Sequence, residues 1–399
     1  MLRPKFLFAF FLALLLCVSC SVQNADRESG AIYLTNCRLI DGTGAPPADN
    51  ATIAVKGGII SAVGAKDAIA IPKGAKVIDL KGATVMPGFI NAHVHQAYND
   101  ENLKNWLMCG VTTVRDESTQ AGSDFLAKRD SLNKDPAHSR IISATPMLAP
   151  EGGYGNDFYT SPDTASKKVS QYISQGVDII KFSIEDDLQG STWKMPTYEE
   201  VKAIVDTAHA KGHKVSVHVS HERNLKMAID AGVDDIAHMA VEPISEEMAK
   251  QIVQKGIYWV PTLELWSYVS RDYKLNWKDV AIENLSTFYK AGGKIALGTD
   301  FAGYASNFEY FPDAEIKLMK QAGMTPMDII VAATQNAAHV CGLDSTLGTV
   351  ETGKAADLLV VTGDPLTWGS QLSLRMVIHG GTIMVDNTGA SGSTVHQAG

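Results

Sequence analysis

His93 and His95 stand one residue apart at the end of an apolar run, Ala83-Thr-Val-Met-Pro-Gly-Phe-Ile-Asn-Ala-His-Val-His95. Side chains alternate faces along a strand, so both imidazoles point the same way and can bind one metal ion together. A half-buried strand with two hydrogen-bonded histidines would look the same. The remaining ligands must therefore decide. Lys181 sits inside Val177-Asp-Ile-Ile-Lys-Phe-Ser, His218 ends Lys214-Val-Ser-Val-His, His238 ends Asp234-Asp-Ile-Ala-His, and Asp300 ends Ile295-Ala-Leu-Gly-Thr-Asp. Nitrogen and oxygen donors without thiolate suit Zn²⁺, and also Mn²⁺ or Fe²⁺. Such an ion lowers the pKa of bound water enough to make a hydroxide nucleophile at neutral pH.

Lys181 is the unusual member of this set. Metal ions would repel a protonated ammonium. A buried neutral amine can instead react with CO2 to give a carbamate, whose two oxygens can bridge two cations. The ordinary alternative is a structural lysine paired with a carboxylate such as Glu185.

The elements that must position these groups follow from the rhythm of the chain. Short apolar runs at Phe89–His95, Val111–Arg115, Arg140–Ala144, Asp178–Ser183, Lys214–Val219, Asp235–His238, Tyr258–Thr262 and Lys294–Gly298 alternate with helical segments. One helix, Pro196–Lys211, carries Tyr198, Val201, Ile204, Val205 and Ala208 at helical spacing. Eight βα units predict a (β/α)8 TIM barrel, with chemistry at the C-terminal ends of the strands. The candidate ligands fall at those ends in barrel order. Both ends of the chain read as short strands and tight turns. The expected α/β architecture is a barrel over 88–342, flanked by one discontinuous β-sandwich built from 31–87 and 343–386.

The 399 residues suffice for a large core, and the net charge of -9 argues against nucleic acid. At the N-terminus, Arg3 and Lys5 precede an apolar run from Phe6 to Val18, the pattern of a secretory signal. Ser19-Cys20-Ser21 resembles a bacterial lipoprotein processing site with Cys20 lipidated, although Cys17 stands where an aliphatic residue is usual; plain signal-peptide cleavage is the alternative. The expectation is a signal peptide over 1–20, a tether over 21–30 and a flexible tail over 387–399. The protein would be exported, periplasmic or on the outer membrane, touching the membrane only through its lipid anchor. Cys37, Cys109 and Cys341 are odd in number, widely spaced and flanked by apolar residues, so they read as small buried side chains.

Seven stretches together resemble the amidohydrolase superfamily, in its imidazolonepropionase-like and prolidase-like branch. They are Val85–His95, Gly110-Val-Thr-Thr-Val-Arg-Asp116, Val177–Lys181, Ala231-Gly-Val-Asp-Asp-Ile-Ala-His238, Leu297-Gly-Thr-Asp300, Thr334-Gln-Asn-Ala-Ala338 and Gly353-Lys-Ala-Ala-Asp-Leu358. The resemblance implies a binuclear site of two divalent metals, most simply zinc. His93, His95 and Asp300 would hold one ion and His218 and His238 the other, with carboxylated Lys181, formed from CO2 or bicarbonate, bridging them beside a hydroxide. Asp300, Lys181 and His238 are the expected catalytic residues, with Asp300 passing the hydroxide's proton to the leaving nitrogen.

The substrate side departs from the family. Many relatives carry Gly-Gly-His-Gly after the third strand, where this chain reads Gly152-Gly-Tyr-Gly155, so Tyr154 replaces a substrate-contacting histidine. Val219-Ser220-His221 stands where some prolidase-like relatives place a tyrosine for the substrate carboxylate. His221, Tyr154 and Arg115 are accordingly the candidate substrate contacts. Arg115 has a structural ion pair as its alternative, and His221 an exposed helix start. Aromatic loops at Tyr154–Tyr159, Trp266–Trp277 and Phe301–Phe311 can line an apolar pocket. The expected activity is hydrolysis of an amide in a small molecule, a dipeptide or N-acyl amino acid. A cyclic amide, lactone or ester hydrolase and a non-catalytic metal-binding lipoprotein are the alternatives. The sequence leaves homo-oligomerisation open.

Overall fold

The computed structural model describes residues 30–118, 124–300, 312–368 and 372–387. The expected signal peptide, most of the tether, the aromatic loop at 301–311 and the tail beyond 387 lie outside the described residues.

Seven parallel strands run in chain order: Phe89–Val94, Val111–Asp116, Arg140–Ser143, Ile179–Ser183, Lys214–His218, Asp235–Ala237 and Tyr258–Val260. Paired neighbours run parallel, with register shifts between the first two and regular register from the fourth to the seventh, for example Lys181 against Ser216 and His218 against Ala237. The third and fourth strands join through Asp178 N donating to Ser143 O at 3.0 Å and Thr145 N to Ile179 O at 3.0 Å. The eighth position is not a regular strand, contrary to the sequence expectation. Ala296 N bonds Trp259 O at 3.0 Å and Ala92 N bonds Leu297 O at 2.8 Å, which closes the ring. Leu297 N turns instead to Ala332 O at 2.9 Å, and Asn336 Nδ2 donates to Ile295 O at 2.9 Å. Ala332 begins a π turn, Ala332–Asn336, inside the last helix. The widened turn frees a helix carbonyl for the strand. Gly298 permits the closure: a Cβ there would come within 2.8 Å of His93 Cβ.

Eight strands from both chain ends form a second sheet. Thr382–Asp386, Ser373–His379 and Leu358–Thr362 continue into Thr84–Pro87, Ile32–Leu39, Ala48–Lys56 and Ile59–Ala65, and Lys76–Asp79 pairs with Ile32–Leu39. The discontinuous β-sandwich is thus built from both ends. Leu358-Leu-Val-Val361 explains why it packs on the barrel. Leu358 and Val360 enter the sandwich core with Leu34, Ile53 and Ile378, while Leu359 and Val361 enter the barrel cluster. Burial on both faces makes the run continuously apolar, and each such side chain contributes roughly 1.5–3 kcal/mol.

The helices form as the sequence indicates, with shorter ends. Tyr198–His209 starts at Thr197, whose hydroxyl accepts from Glu200 N while Glu200 caps Thr197 N, a reciprocal cap that stabilises by about 1 kcal/mol. Its buried stripe is Val201, Ile204, Val205 and Ala208. Tyr198, expected on that face, is exposed. The seventh strand ends at Val260, and Thr262 instead opens the helix Leu263–Tyr273.

Candidate metal centre and active-site cavity

The C-terminal ends of the strands surround a cavity of about 830 Å³. His93, His95, Lys181, His218, His238 and Asp300 all line it. The fold therefore brings together the six residues singled out as ligands. His93 Nε2 lies 3.2 Å and His95 Nε2 2.9 Å from Asp300 Oδ1. Asp300 Oδ1 has no hydrogen-bond partner despite these approaches, and His93 Nδ1, the other ring nitrogen, is also buried without one. The His93 and His238 rings are 4.7 Å apart, and those of His218 and His238 are 4.6 Å apart. Donor atoms of His93, His238 and Asp300 lie within 4.8 Å of one another, close enough to share an ion.

Backbone conformation aims these groups. His238 (φ 70°) and Asp300 (φ 58°) both adopt the left-handed region. Thr262 and Gln96, at neighbouring strand ends, do the same. Each such non-glycine residue costs on the order of 1–3 kcal/mol and persists where surrounding bonds over-determine it. Here Asp300 N donates to His93 O at 2.9 Å and His238 N to Val260 O at 2.9 Å. Outer partners also fix which imidazole nitrogen is free. His238 Nδ1 is 2.9 Å from Thr262 Oγ1, leaving Nε2 for the cavity. His218 Nε2 is 3.1 Å from Glu185 Oε2, leaving Nδ1. Such outer bonds orient metal-binding histidines.

Electrostatics follow from burial and from these contacts. Burial, aided by the Lys181 charge, pushes His93 down to about 4, so this imidazole is neutral at neutral pH, as a ligand must be. Burial and the neighbouring His218 also hold His238 well below its ordinary value. Burial opposes the charge on Asp300, but His93 and His95 outweigh it and hold the carboxyl well below the usual range. Burial would lower His95, but the Asp300 carboxylate overcomes it and raises that imidazole.

Lys181, only 2 % exposed, does not meet Glu185. Its Nζ lies 2.6 Å from Glu117 Oε2, while Glu185 turns to His218 and Ser220. Sequence reading stopped at Asp116 and missed Glu117. The alternation was there to be used: Arg115 and Glu117 share a face of their strand, and both point into the barrel. Arg115 Nε is 2.5 Å from Glu117 Oε1, and its two terminal nitrogens grip the Asp235 carboxylate at 2.9 Å each. Arg115 is fully buried and does not line the cavity. Its place among the substrate contacts is corrected: it is the structural ion pair.

His221 is also turned away. Its Nε2 sits 2.8 Å from Asp187 O and its Nδ1 2.9 Å from Glu242 Oε1, outside the cavity lining. The reason is its position before the helix Glu222–Ala231, where acidic groups on two neighbouring loops capture the ring. Tyr154 does line the cavity, with its ring centroid 4.7 Å from those of His218 and Trp193. Burial pushes its phenol up to about 12, so it is a neutral donor. Trp266, Leu265 and Val269, on the helix Leu263–Tyr273 after the seventh strand, complete an apolar wall.

A model of the Amidohydrolase family matches residues 84–384. The chain belongs to the amidohydrolase family. Membership makes it a hydrolase acting on carbon–nitrogen bonds, and amidohydrolases generally use divalent metal ions. An ochratoxinase of Aspergillus niger is 25% identical over 398 residues, with 82% of this chain and 80% of that protein covered. An imidazolonepropionase of Geobacillus thermodenitrificans is 21% identical over 402 residues, covering 85% of this chain and 91% of that one. Among solved structures, a Xaa-Pro dipeptidase with methionine bound in its active site superposes with a TM-score of 0.77 at 26% identity, covering 89% of this chain and 99% of that one. These enzyme relatives act on small-molecule substrates. The donor set of this amidohydrolase fits divalent ions: three histidines are freed on one nitrogen or left without a partner, and a depressed carboxylate faces two of the site's imidazoles.

Proposed function

We propose that this amidohydrolase cleaves the amide bond of a dipeptide or N-acyl amino acid. The observation that carries the reading is the convergence of His93, His95, Lys181, His218, His238 and Asp300 at one cavity of small-molecule size. Resemblance to a Xaa-Pro dipeptidase at 26% identity supports the substrate class. His93, His95 and Asp300 would hold one divalent ion, most simply zinc, and His218 and His238 a second, with carboxylated Lys181 between them. The chemistry such ions would supply there is a hydroxide nucleophile and polarisation of the scissile carbonyl.

The chain's own residues do the rest. Asp300, held ionised, takes up the proton released on attack and returns it to the leaving nitrogen. His93 and His238 stay neutral and fixed. Tyr154 stands over His218 with a neutral hydroxyl that can donate to the substrate carbonyl. Trp266 and Leu265 cover the apolar part of the substrate and exclude water. The export reading of the N-terminus and its Cys20 anchor belong to the same proposal. They place the enzyme outside the bacterial cytoplasm, on small molecules arriving there.

The test is a panel of dipeptides, N-acyl amino acids and lactones, assayed with enzyme purified in Zn²⁺ and bicarbonate. Turnover of dipeptides or N-acyl amino acids is the expected result. Turnover of lactones alone would overturn the amide assignment.

A further inference from the structure

A dipeptide or N-acyl amino acid carries a free carboxylate, and something in the cavity must receive it. Each cationic candidate can be followed in turn. Arg115 is spent on Asp235 and Glu117 beneath the site. His221 is held by Asp187 and Glu242 outside the cavity. Arg223, at the neighbouring rim, is shared among Asp186, Asp187 and Glu242. Lys181 stands against Glu117. Histidines aside, the cations lining the cavity among the described residues are Lys181 and Lys128. The stretches 119–123, 301–311 and 369–371, outside the described residues, contain no lysine or arginine in their sequence.

Lys128 belongs to the helix Phe125–Leu132, after the second barrel strand. It is exposed, and it has no ion pair with another described residue. The rest of the lining sharpens its role. Asp116, Glu117 and Asp300 make the inner cavity acidic. With those carboxylates and the proposed divalent ions engaged around the scissile amide, the substrate carboxylate is left to a cation farther out in the lining. The apolar wall of Leu265, Trp266 and Val269 comes from the helix Leu263–Tyr273 after the seventh strand, three places round the barrel from the second. Polar Asn99, Ser118 and Asn156 lie in the lining along with Lys128. The cavity is thus amphiphilic.

Resting on the amide-hydrolase reading above, we infer that Lys128 is a specificity-determining residue that receives the free carboxylate of the substrate. An ammonium–carboxylate pair covered by the bound substrate is stronger than a neutral hydrogen bond. The carboxylate on Lys128 sets which way the amide enters, with the apolar group on the Trp266 side.

The experiment compares an N-acyl amino acid with its carboxamide, in wild type and in Lys128→Ala, Lys128→Glu and Lys128→Arg. Wild type prefers the acid. In Lys128→Ala that preference in kcat/KM falls by about tenfold or more, mainly through KM, in line with the loss of a charged hydrogen bond. Lys128→Glu inverts the preference and Lys128→Arg keeps it. A thermal melt of each variant checks folding, which a surface helix position should tolerate. If wild type cleaves both substrates and Lys128→Ala keeps the full acid preference, the inference about Lys128 is overturned while the amide reading stands. If wild type cleaves neither, the amide reading itself fails and takes the inference with it.

Discussion

Lys181 Nζ stands 2.6 Å from Glu117 Oε2, and Glu117 Oε1 stands 2.5 Å from Arg115 Nε. One fully buried carboxylate therefore neutralises the site lysine above and the structural arginine below. Arg115 is shared with Asp235, and Ser216 Oγ lies within hydrogen-bond distance of both Glu117 (3.0 Å) and Asp235 (2.8 Å). The candidate metal ligands sit above this closed network.

Glu117→Gln should destabilise the fold by about 3–5 kcal/mol, because it leaves the buried Lys181 without its counterion and Arg115 with Asp235 alone. Denaturant unfolding of the metal-free protein measures this. The pH dependence has a fixed sign. Burial opposes the Glu117 charge, but Arg115 and Lys181 override it and hold the carboxyl down to about 2. Its contribution is present above the ordinary value of 4.5 and is lost as pH falls toward about 2. His93 is depressed from 6.5 to about 4, so its neutral-state contribution is lost over that interval on acidification. Metal-free protein should weaken progressively below about pH 6.5, and Glu117→Gln should flatten the most acidic limb. A variant as stable as wild type at neutral pH would contradict the network.

Thr262→Val removes the partner of His238 Nδ1 and little volume. Lost orientation of a metal-binding imidazole typically costs 10–100-fold in metal affinity. Competition against a chelator should show about that loss. Unchanged affinity would mean that the left-handed backbone at His238 alone fixes the ring.

Asp300→Asn should lower kcat by about 10²–10⁴-fold on an amide, the range for a removed general acid–base. The loss should be smaller on a matched ester, whose leaving alkoxide depends less on a proton than a leaving amine does. Equal losses on the two substrates would count against the shuttle role and leave Asp300 as a ligand.

Removing metal with a chelator should abolish turnover, and Zn²⁺ should restore it faster when bicarbonate is present, because CO2 must take Lys181 Nζ away from Glu117. Lys181→Ala should show no bicarbonate effect on reloading. Reloading of wild type that ignores bicarbonate would oppose the carbamate. A crystal structure showing an unmodified Lys181 still paired with Glu117 beside bound metal would settle the point against it.

The sequence by itself determined the barrel, the β-sandwich from both ends and the six residues at the cavity. Those features are local: strand periodicity carries His93 and His95 to one face, and βα rhythm puts Lys181 on the fourth strand and His218, His238 and Asp300 at the ends of the fifth, sixth and eighth positions. It also contained Glu117, legible two residues after Arg115 on the same face. What only the tertiary structure decided is the partner of each charge. Arg115 meets Asp235, 120 residues away, because barrel closure brings the second and sixth strands together across the interior. Lys181 meets Glu117 rather than the nearer-in-sequence Glu185, because Glu185 lies past the end of its strand and reaches sideways to His218. His221 turns outward because acidic groups on two neighbouring loops compete for it. Thr262, expected to end a strand, turns left-handed into a helix and so reaches His238. Periodicity fixes the face from which a side chain departs; the closed ring of strands fixes what it finds there.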